Sequence, residues 1–320
     1  MKSIDVTALG ELLIDFTENG LSESGNPVME ANPGGAPCNV LAMLQKLGKS
    51  CAFIGKVGHD AFGDMLEETL KDARIDTRGL KRDDQVHTTL AFVHTLAGGE
   101  RAFSFYRNPG ADMNLCIDDL DDSLLHDCRI FHFGSLSLTD EPCRETTKVA
   151  VVRARLAGAL ISFDPNVRES LWSSLELARE QIDWGLAQCD IVKISDNELA
   201  FMTGTEDFDE GAEIILRRHP QIRLLNVTAG EYGSYSYYGD IRCHVPVMKT
   251  DHVLEKTGAG DTFCACALNY ILDHGLDDLT ENNLKEMLTF ANAAAALIIR
   301  RKGALKVMPE KEEIEKLLAL

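Results

Sequence analysis

Apolar and polar positions along this chain keep two periods, and turn residues mark where one gives way to the other. Ile4–Leu9 is a short apolar run stopped by Gly10, which predicts a buried strand. Residues 37–47 follow the helical spacing, with Pro37 in the first turn and Gly48 as a stop. Residues 51–54 predict a further buried strand and residues 61–73 a further helix. Beyond residue 128 the alternation is regular, with apolar strands at 130–133, 160–163, 191–194 and 224–227 separated by helical segments. Such a series implies a mostly parallel sheet covered by helices on both faces. Residues 21–32 and 87–106 depart from it. They carry β-forming residues broken by turns such as Ala97-Gly98-Gly99, and predict antiparallel strands. After Thr257 the pattern turns helical. Within 261–274, Phe263, Ala267, Leu268, Ile271 and Leu272 share one apolar face and Gly275 ends the run. Residues 283–301 read as a long Ala-rich helix. No internal repeat, low-complexity tract or linker divides the chain, so residues 1–320 are expected as one α/β domain.

Charge narrows the range of partners. With 32 Lys+Arg against 51 Asp+Glu the chain carries a formal −19, a field that argues against nucleic acid and against a membrane surface. It also repels anionic substrates, so any phosphate site must be built locally, from backbone N–H groups, a few cations or a metal. Nine Cys are scattered without a CxxC pair, and only Cys264 and Cys266 lie close together, so thiols are expected rather than disulfides or zinc. The opening MKSIDVTALGELLIDF has acidic residues inside its apolar run and no signal-peptide layout. No uninterrupted apolar run of about 18 residues occurs anywhere, and a cytoplasmic location is the expectation.

The strongest chemical signal is Thr257-Gly258-Ala259-Gly260-Asp261, directly before an apolar helix. Two Gly around an Ala let the backbone approach a ligand closely, and the free N–H groups of a first helical turn suit phosphate oxygens. A carboxylate at a helix start is also an ordinary N-cap, and that reading of Asp261 stands beside the functional one. Phosphoryl transfer to an alcohol needs an anion cradle and, next to it, a base for the hydroxyl proton; this segment offers both. A second constellation is Asn32-Pro33-Gly34-Gly35-Ala36-Pro37-Cys38-Asn39. It is either a tight turn with Asn39 facing solvent or a sugar site of close backbone and an amide. Asp15, near the end of the first strand, is a further candidate for hydroxyl recognition, or a plain surface carboxylate. No Walker-type GxxxxGK[ST] occurs, the spacing of Gly55, Gly58 and Gly63 does not fit a dinucleotide fingerprint, and the nine His show no metal-ligand spacing.

Several motifs in order carry a resemblance: GGAPCNVLAMLQKLG, IGKVGHDAFG, FYRNPGADMNL, FDPNVR, VKISDNELAFMTG, VTAGEYG and TGAGDTF. Over about residues 4–309 the chain resembles the ribokinase-like (PfkB) carbohydrate kinases, and within them it is most similar to bacterial fructokinases. The resemblance implies a three-layer α/β/α fold with a mostly parallel central sheet and a small antiparallel β lid from about 12–36 and 87–108. In the family that lid often forms a dimer interface, which implies a homodimer. ATP and a small sugar are the implied ligands, with Mg²⁺ and, in many relatives, K⁺. Asp261 matches the family's catalytic base, and Gly258, Ala259 and Gly260 match its anion hole. Asp15, Gly34, Gly35 and Asn39 match sugar-binding positions, and Arg107 and Arg168 match positions that face sugar or phosphate. Lys193, Ser195, Thr228, Gly230 and Gly233 match the nucleotide site, with Asn292 on the helix beside the adenine pocket. Glu198 matches the end of the NxxE element, linked indirectly to Mg²⁺.

Three departures accompany these matches. Ser195 stands where NxxE has Asn, and His59 stands in the Gly58–Gly63 turn where the family usually has Asp. Glu255-Lys256 replaces the Asp-Thr of DTxGAGD, whose Asp helps hold a monovalent cation, so cation dependence is expected to be altered. The function implied is a fructokinase. A 2-keto-3-deoxygluconate kinase, with Arg107 and Arg168 on the substrate carboxylate, stays open. So does a non-catalytic sugar or nucleotide sensor on the same fold, since fold alone does not fix function.

Overall fold

The computed structural model describes residues 2–95, 101–250 and 252–319, and the expected turn at Ala97-Gly98-Gly99 lies outside them. In chain order the strands are β1 (Ile4–Leu9), β2 (Leu13–Leu21), β3 (Pro27–Gly34), β4 (Cys51–Gly58), β5 (Asp76–Asp83), β6 (Leu90–Thr95), β7 (Arg101–Tyr106), β8 (Cys128–Gly134), β9 (Leu160–Asp164), β10 (Ile191–Ser195), β11 (Leu224–Thr228), β12 (Ser234–Tyr238) and β13 (Ile241–Val245). The helices are α1 (Ala36–Lys46), α2 (Ala61–Asp72), α3 (Asp122–His126), α4 (Cys143–Leu156), α5 (Leu175–Ala187), α6 (Asp196–Thr203), α7 (Phe208–Arg218), α8 (Ala259–His274), α9 (Glu281–Ile298) and α10 (Lys311–Leu318).

A nine-stranded sheet runs β13-β12-β11-β10-β9-β8-β1-β4-β5. From β11 to β5 every pairing is parallel, and the β12–β13 hairpin is added antiparallel at the β11 edge. Strands buried on both sides read as continuous apolar runs, and β4 shows how the pleat divides them. Cys51 and Phe53 enter one core, with α1, α2, α8, α9 and α10, while Ala52 and Ile54 enter the other, with α3 to α7. The same alternation places function. Ile161 and Phe163 of β9 and Val192 and Ile194 of β10 fill the second core. Asp164 and Lys193 therefore stand on the opposite face, under α8, at the carboxyl ends of their strands. Chain order also reverses between β1 and β8, and ligands of such sheets lie outside the carboxyl ends of the strands.

A second sheet, β3-β2-β6-β7, stands beside the first. It is the expected lid, with two corrections. Its first strand starts at Leu13, so the expected strand at 21–32 straddles the turn between β2 and β3. Ile14, Asp15, Phe16 and Thr17 alternate apolar and polar, but Glu18, Asn19 and Gly20 break the alternation, which leaves too short a run to mark the strand by period two. In addition, β2 pairs with β6 in parallel, while β2–β3 and β6–β7 are antiparallel. Asp15 thus sits in the lid, opposite Asn32 and Ala91, and not near the end of β1. The turn before α2 needs a correction too. Asp60, not His59, holds the carboxylate position: it caps α2 through Gly63 N–H at 2.8 Å and accepts from Thr88 N–H at 2.8 Å. All nine cysteines are unpaired. Among the described residues no helix is long and apolar enough to cross a membrane.

Candidate active site

Helix α8 begins two residues earlier than its apolar face suggests, and that shift decides what Asp261 can do. Gly258 is the N-cap at φ 79°, a conformation natural to glycine, and a Cβ there would come within 3.0 Å of Ala304. Asp261 therefore lies in the first turn, not at the cap, and its side chain is turned inward. It is 8% exposed, and its Oδ2 accepts a 2.8 Å hydrogen bond from Nδ2 of Asn39 in α1. Burial pushes the Asp261 carboxyl up; the Asn39 hydrogen bond and the charges of Lys193 and Arg168 pull it back, with a net rise. Asn39 is itself buried, and its Oδ1 has no hydrogen-bond partner among the described residues. Gly260 lies against Lys193, whose Nζ is 2.9 Å from where a Cβ would stand.

A cavity of about 380 Å³ opens over this point. From the expected set it gathers Asp15, Gly35, Asn39, Arg168, Lys193, Glu255, Gly258, Gly260 and Asp261. Gly34 works from behind the wall: a Cβ on it would collide with the Asp15 carboxylate. Gly35, at φ 122°, is the N-cap of α1, and a Cβ on it would stand 2.3 Å from the Glu11 carbonyl. Leu13, Val93 and Phe105 supply an apolar side from the lid. Burial pushes Asp15 up to about 7, against the pull of Arg168.

A second cavity of about 500 Å³ adjoins the first, bordered by Ser195, Thr228, Gly230, Gly233, Ala259 and Asn292, with Lys193 and Gly260 shared between the two. Its far end is apolar, lined by Val247, Met248, Val253, Phe263, Ala295, Ala296 and Ile299. The Asn292 amide is committed to protein. Its Nδ2 donates to the carbonyls of Val245 and Pro246, both at 3.2 Å, and its Oδ1 accepts from Ser234. Ser195 caps α6, and Glu198 returns a bond to Ser195 N–H at 2.8 Å. The other Glu198 oxygen accepts from Val167 N–H at 2.7 Å, so this buried carboxylate ties the 165–168 loop to β10. Beneath both cavities Lys193 pairs with Asp164 at 3.1 Å. Burial alone would lower the Lys193 ammonium, but the carboxylates of Asp164, Glu198 and Asp261 push it up on balance, so it stays charged.

Arg107 is not brought to either cavity. Its side chain is 2% exposed and all its donors face inward: Nε to Asp112 at 2.7 Å, Nη1 to Thr139 at 2.9 Å and Nη2 to the Leu136 carbonyl at 3.0 Å. It follows β7 directly, so it pins the lid to the body of the molecule. Two cavity residues escape sequence reasoning, and a third enters it only as a departure from the family pattern. Glu11 follows β1, accepts from Ala36 N–H at 2.8 Å and so fixes the start of α1. Asn166 lines the cavity at φ 43°, uncommon for a residue with a side chain, and that strain was hidden inside FDPNVR. Lys256 borders both cavities. Glu255, expected near a monovalent cation, is buried; its Oε1 accepts from Thr257 Oγ1 at 2.8 Å and its Oε2 from Gly303 N–H at 3.0 Å.

Comparison with known proteins gives a consistent set. Residues 3–311 match the model of the pfkB family of carbohydrate kinases. Fructokinase-1 of Zea mays is 43% identical over 315 residues, covering 98% of this chain and 97% of that protein. The crystal structure of fructokinase with bound ATP from Xylella fastidiosa has a TM-score of 0.91 and 32% identity, covering 100% of this chain and 99% of its own. The structure of fructokinase from Vibrio cholerae O395 in fructose, ADP and calcium ion bound form reaches 0.88 at 29% identity, over 99% of this chain and 100% of its own.

Glu11 supplies a test of this geometry that needs no ligand. Burial pushes its carboxyl from 4.5 up to about 7. The folded state therefore holds a proton that the unfolded chain has released, and stability falls as pH rises between those values. Glu11→Gln keeps an acceptor for Ala36 N–H and removes the ionisation. Its melting temperature relative to the native chain should climb as pH is taken from about 5 to about 8. A difference that does not change with pH would mean that Glu11 is not buried as described.

Proposed function

We infer a phosphoryl-transfer enzyme from the family to which the chain belongs, the pfkB family of carbohydrate kinases. It is an ATP-dependent sugar kinase, and fructose is the acceptor. One observation carries the assignment of roles: a buried carboxylate, Asp261, lies in the first turn of α8 where the two cavities meet. The sugar occupies the cavity of Asp15, Gly35 and Asn39. Its reacting hydroxyl gives its proton to Asp261 while its oxygen bonds to the γ-phosphorus of ATP; the β–γ bridging P–O bond breaks and ADP leaves. Charge on the moving phosphoryl group meets the N–H groups at the start of α8. The upward shift of Asp261 favours a base over a permanently ionised carboxylate. Asn39 holds that carboxylate by Nδ2 and offers its unpartnered Oδ1 to a sugar hydroxyl.

Mg²⁺ comes with the nucleotide and neutralises part of its charge; it keeps several waters and needs few protein carboxylates. The donor set fits that use. Glu198 gives both oxygens to backbone N–H groups, so it acts by fixing the loops around the nucleotide, while Asp196 and Glu231 are the carboxylates that border the nucleotide cavity.

Fructose is favoured over 2-keto-3-deoxygluconate by charge. With Arg107 engaged elsewhere, an acid sugar would meet Arg168 and Lys256 among the carboxylates of Glu11, Asp15, Glu255 and Asp261. ADP release across a panel of sugars tests both the activity and the choice. Fructose should give the highest kcat/KM. A higher value for the ketodeoxy acid would overturn the substrate, and no ADP release with any sugar would overturn the enzyme.

The carboxylate of Glu255 already ties residue 257 to residue 303. A tie that orders this loop leaves less for K⁺ to do, so K⁺ activation should be weak. Turnover in K⁺ against a bulky inert cation at equal ionic strength should differ less in the native chain than in the Glu255→Asp/Lys256→Thr double variant. Strong activation of the native chain, unchanged by the double substitution, would contradict this.

A further inference from the structure

We propose that Lys256 contacts the phosphoryl group in transit, as a cation that this chain adds to the site. The proposal rests on the kinase reading above and concerns one residue on the turn that opens α8.

Lys256 borders the sugar cavity and the nucleotide cavity alike, a position it shares with Lys193 and Gly260. The moving group must pass this junction. The Lys256 carbonyl accepts the N–H of Ala259 at 3.3 Å, which seats the residue on the turn that opens α8. Its side chain is exposed, and its ammonium has no ion-pair partner among the described residues. A lysine stem extends about 6 Å from Cα and its ammonium turns freely, so it can stay on the phosphoryl oxygens as they move between partners.

No other cation among the described residues combines a free ammonium with a place at this junction. Lys193 is paired with Asp164, Arg168 lines only the sugar cavity, Lys249 lines only the nucleotide cavity, and Arg107 is locked on Asp112. Against them stand Glu11, Asp15, Glu255 and Asp261, in a chain of net charge −19. A triphosphate entering this field needs a local positive charge at its γ end, and the helix start alone provides partial charges only. Lys256 provides a full one.

The test compares Lys256→Met and Lys256→Arg with the native enzyme, by turnover with fructose and MgATP and by equilibrium binding of MgATP and of adenosine without sugar. Lys256→Met should lose about tenfold to a hundredfold in kcat, somewhat less than the roughly 10²–10³-fold cost of losing one fixed donor to a developing anion, because its stem is mobile. Its MgATP affinity should fall about tenfold, while adenosine affinity and the KM for fructose stay within about twofold. Lys256→Arg should recover much of the loss. Turnover and MgATP affinity of Lys256→Met both within about twofold of native would overturn the proposal. So would an equal loss for adenosine, which would point to a disturbed fold. If the native chain released no ADP with fructose, the kinase reading would fall, and the binding comparison would still decide whether Lys256 meets phosphate.

Discussion

Burying a carboxylate at the start of a helix is the constraint on which this molecule turns. Asp261 must lose water to become a base, yet a buried, unpaired carboxylate is costly. The fold meets that cost with one hydrogen bond from Asn39 and with the charges of Lys193 and Arg168. Each of these has its own support. Asn39 is carried on α1, whose opening is held by Glu11 through Ala36 N–H. Lys193 is held by Asp164 at the adjacent strand end. The two strongest motifs, from opposite ends of the chain, meet because α1 and α8 pack side by side on one face of the sheet.

The acidic balance of the chain gives this arrangement a second use. Cations are few at the site, and Lys193 among them is already paired with Asp164. Anionic ligands are therefore met by directed N–H groups and by the few ammonium and guanidinium groups that reach the cavities. A neutral hexose pays no such penalty. Arg107 illustrates the difference between a motif position and a role. It keeps its place in the motif, but its guanidinium joins the end of β7 to Asp112, Thr139 and Leu136, and so holds the lid rather than the sugar.

Local pattern was enough to read the inner parallel strands, because each holds an apolar run, but not the edge strand β5, whose DTRGLKRD is mostly polar. The Gly258–Gly260 turn and the Gly34-Gly35 turn were legible because glycine is needed there whatever lies around it, though α8 begins two residues before its apolar face. The strand from Leu13 was not, since its alternation lasts only from Ile14 to Thr17 before Glu18, Asn19 and Gly20 break it. Glu11 was also beyond reach, and Lys256 was legible as a departure from the family pattern but not as a residue of both cavities. What makes them matter is burial beside α1 in one case and the meeting of two cavities in the other, and neither is a property of neighbouring residues in sequence. Asn39 was legible as a candidate, but its hold on Asp261 spans 222 positions and appears only in the folded chain.

The most direct test of the account is the turnover of Asp261→Asn with fructose and MgATP, measured alongside fructose binding. The amide keeps the shape of the carboxyl and can still meet a hydroxyl, but it cannot accept the proton. The account predicts a loss of about 10²–10⁴-fold in kcat with fructose affinity little changed. A variant that keeps more than about a tenth of native turnover would contradict the account, because proton transfer to Asp261 would then not limit the reaction.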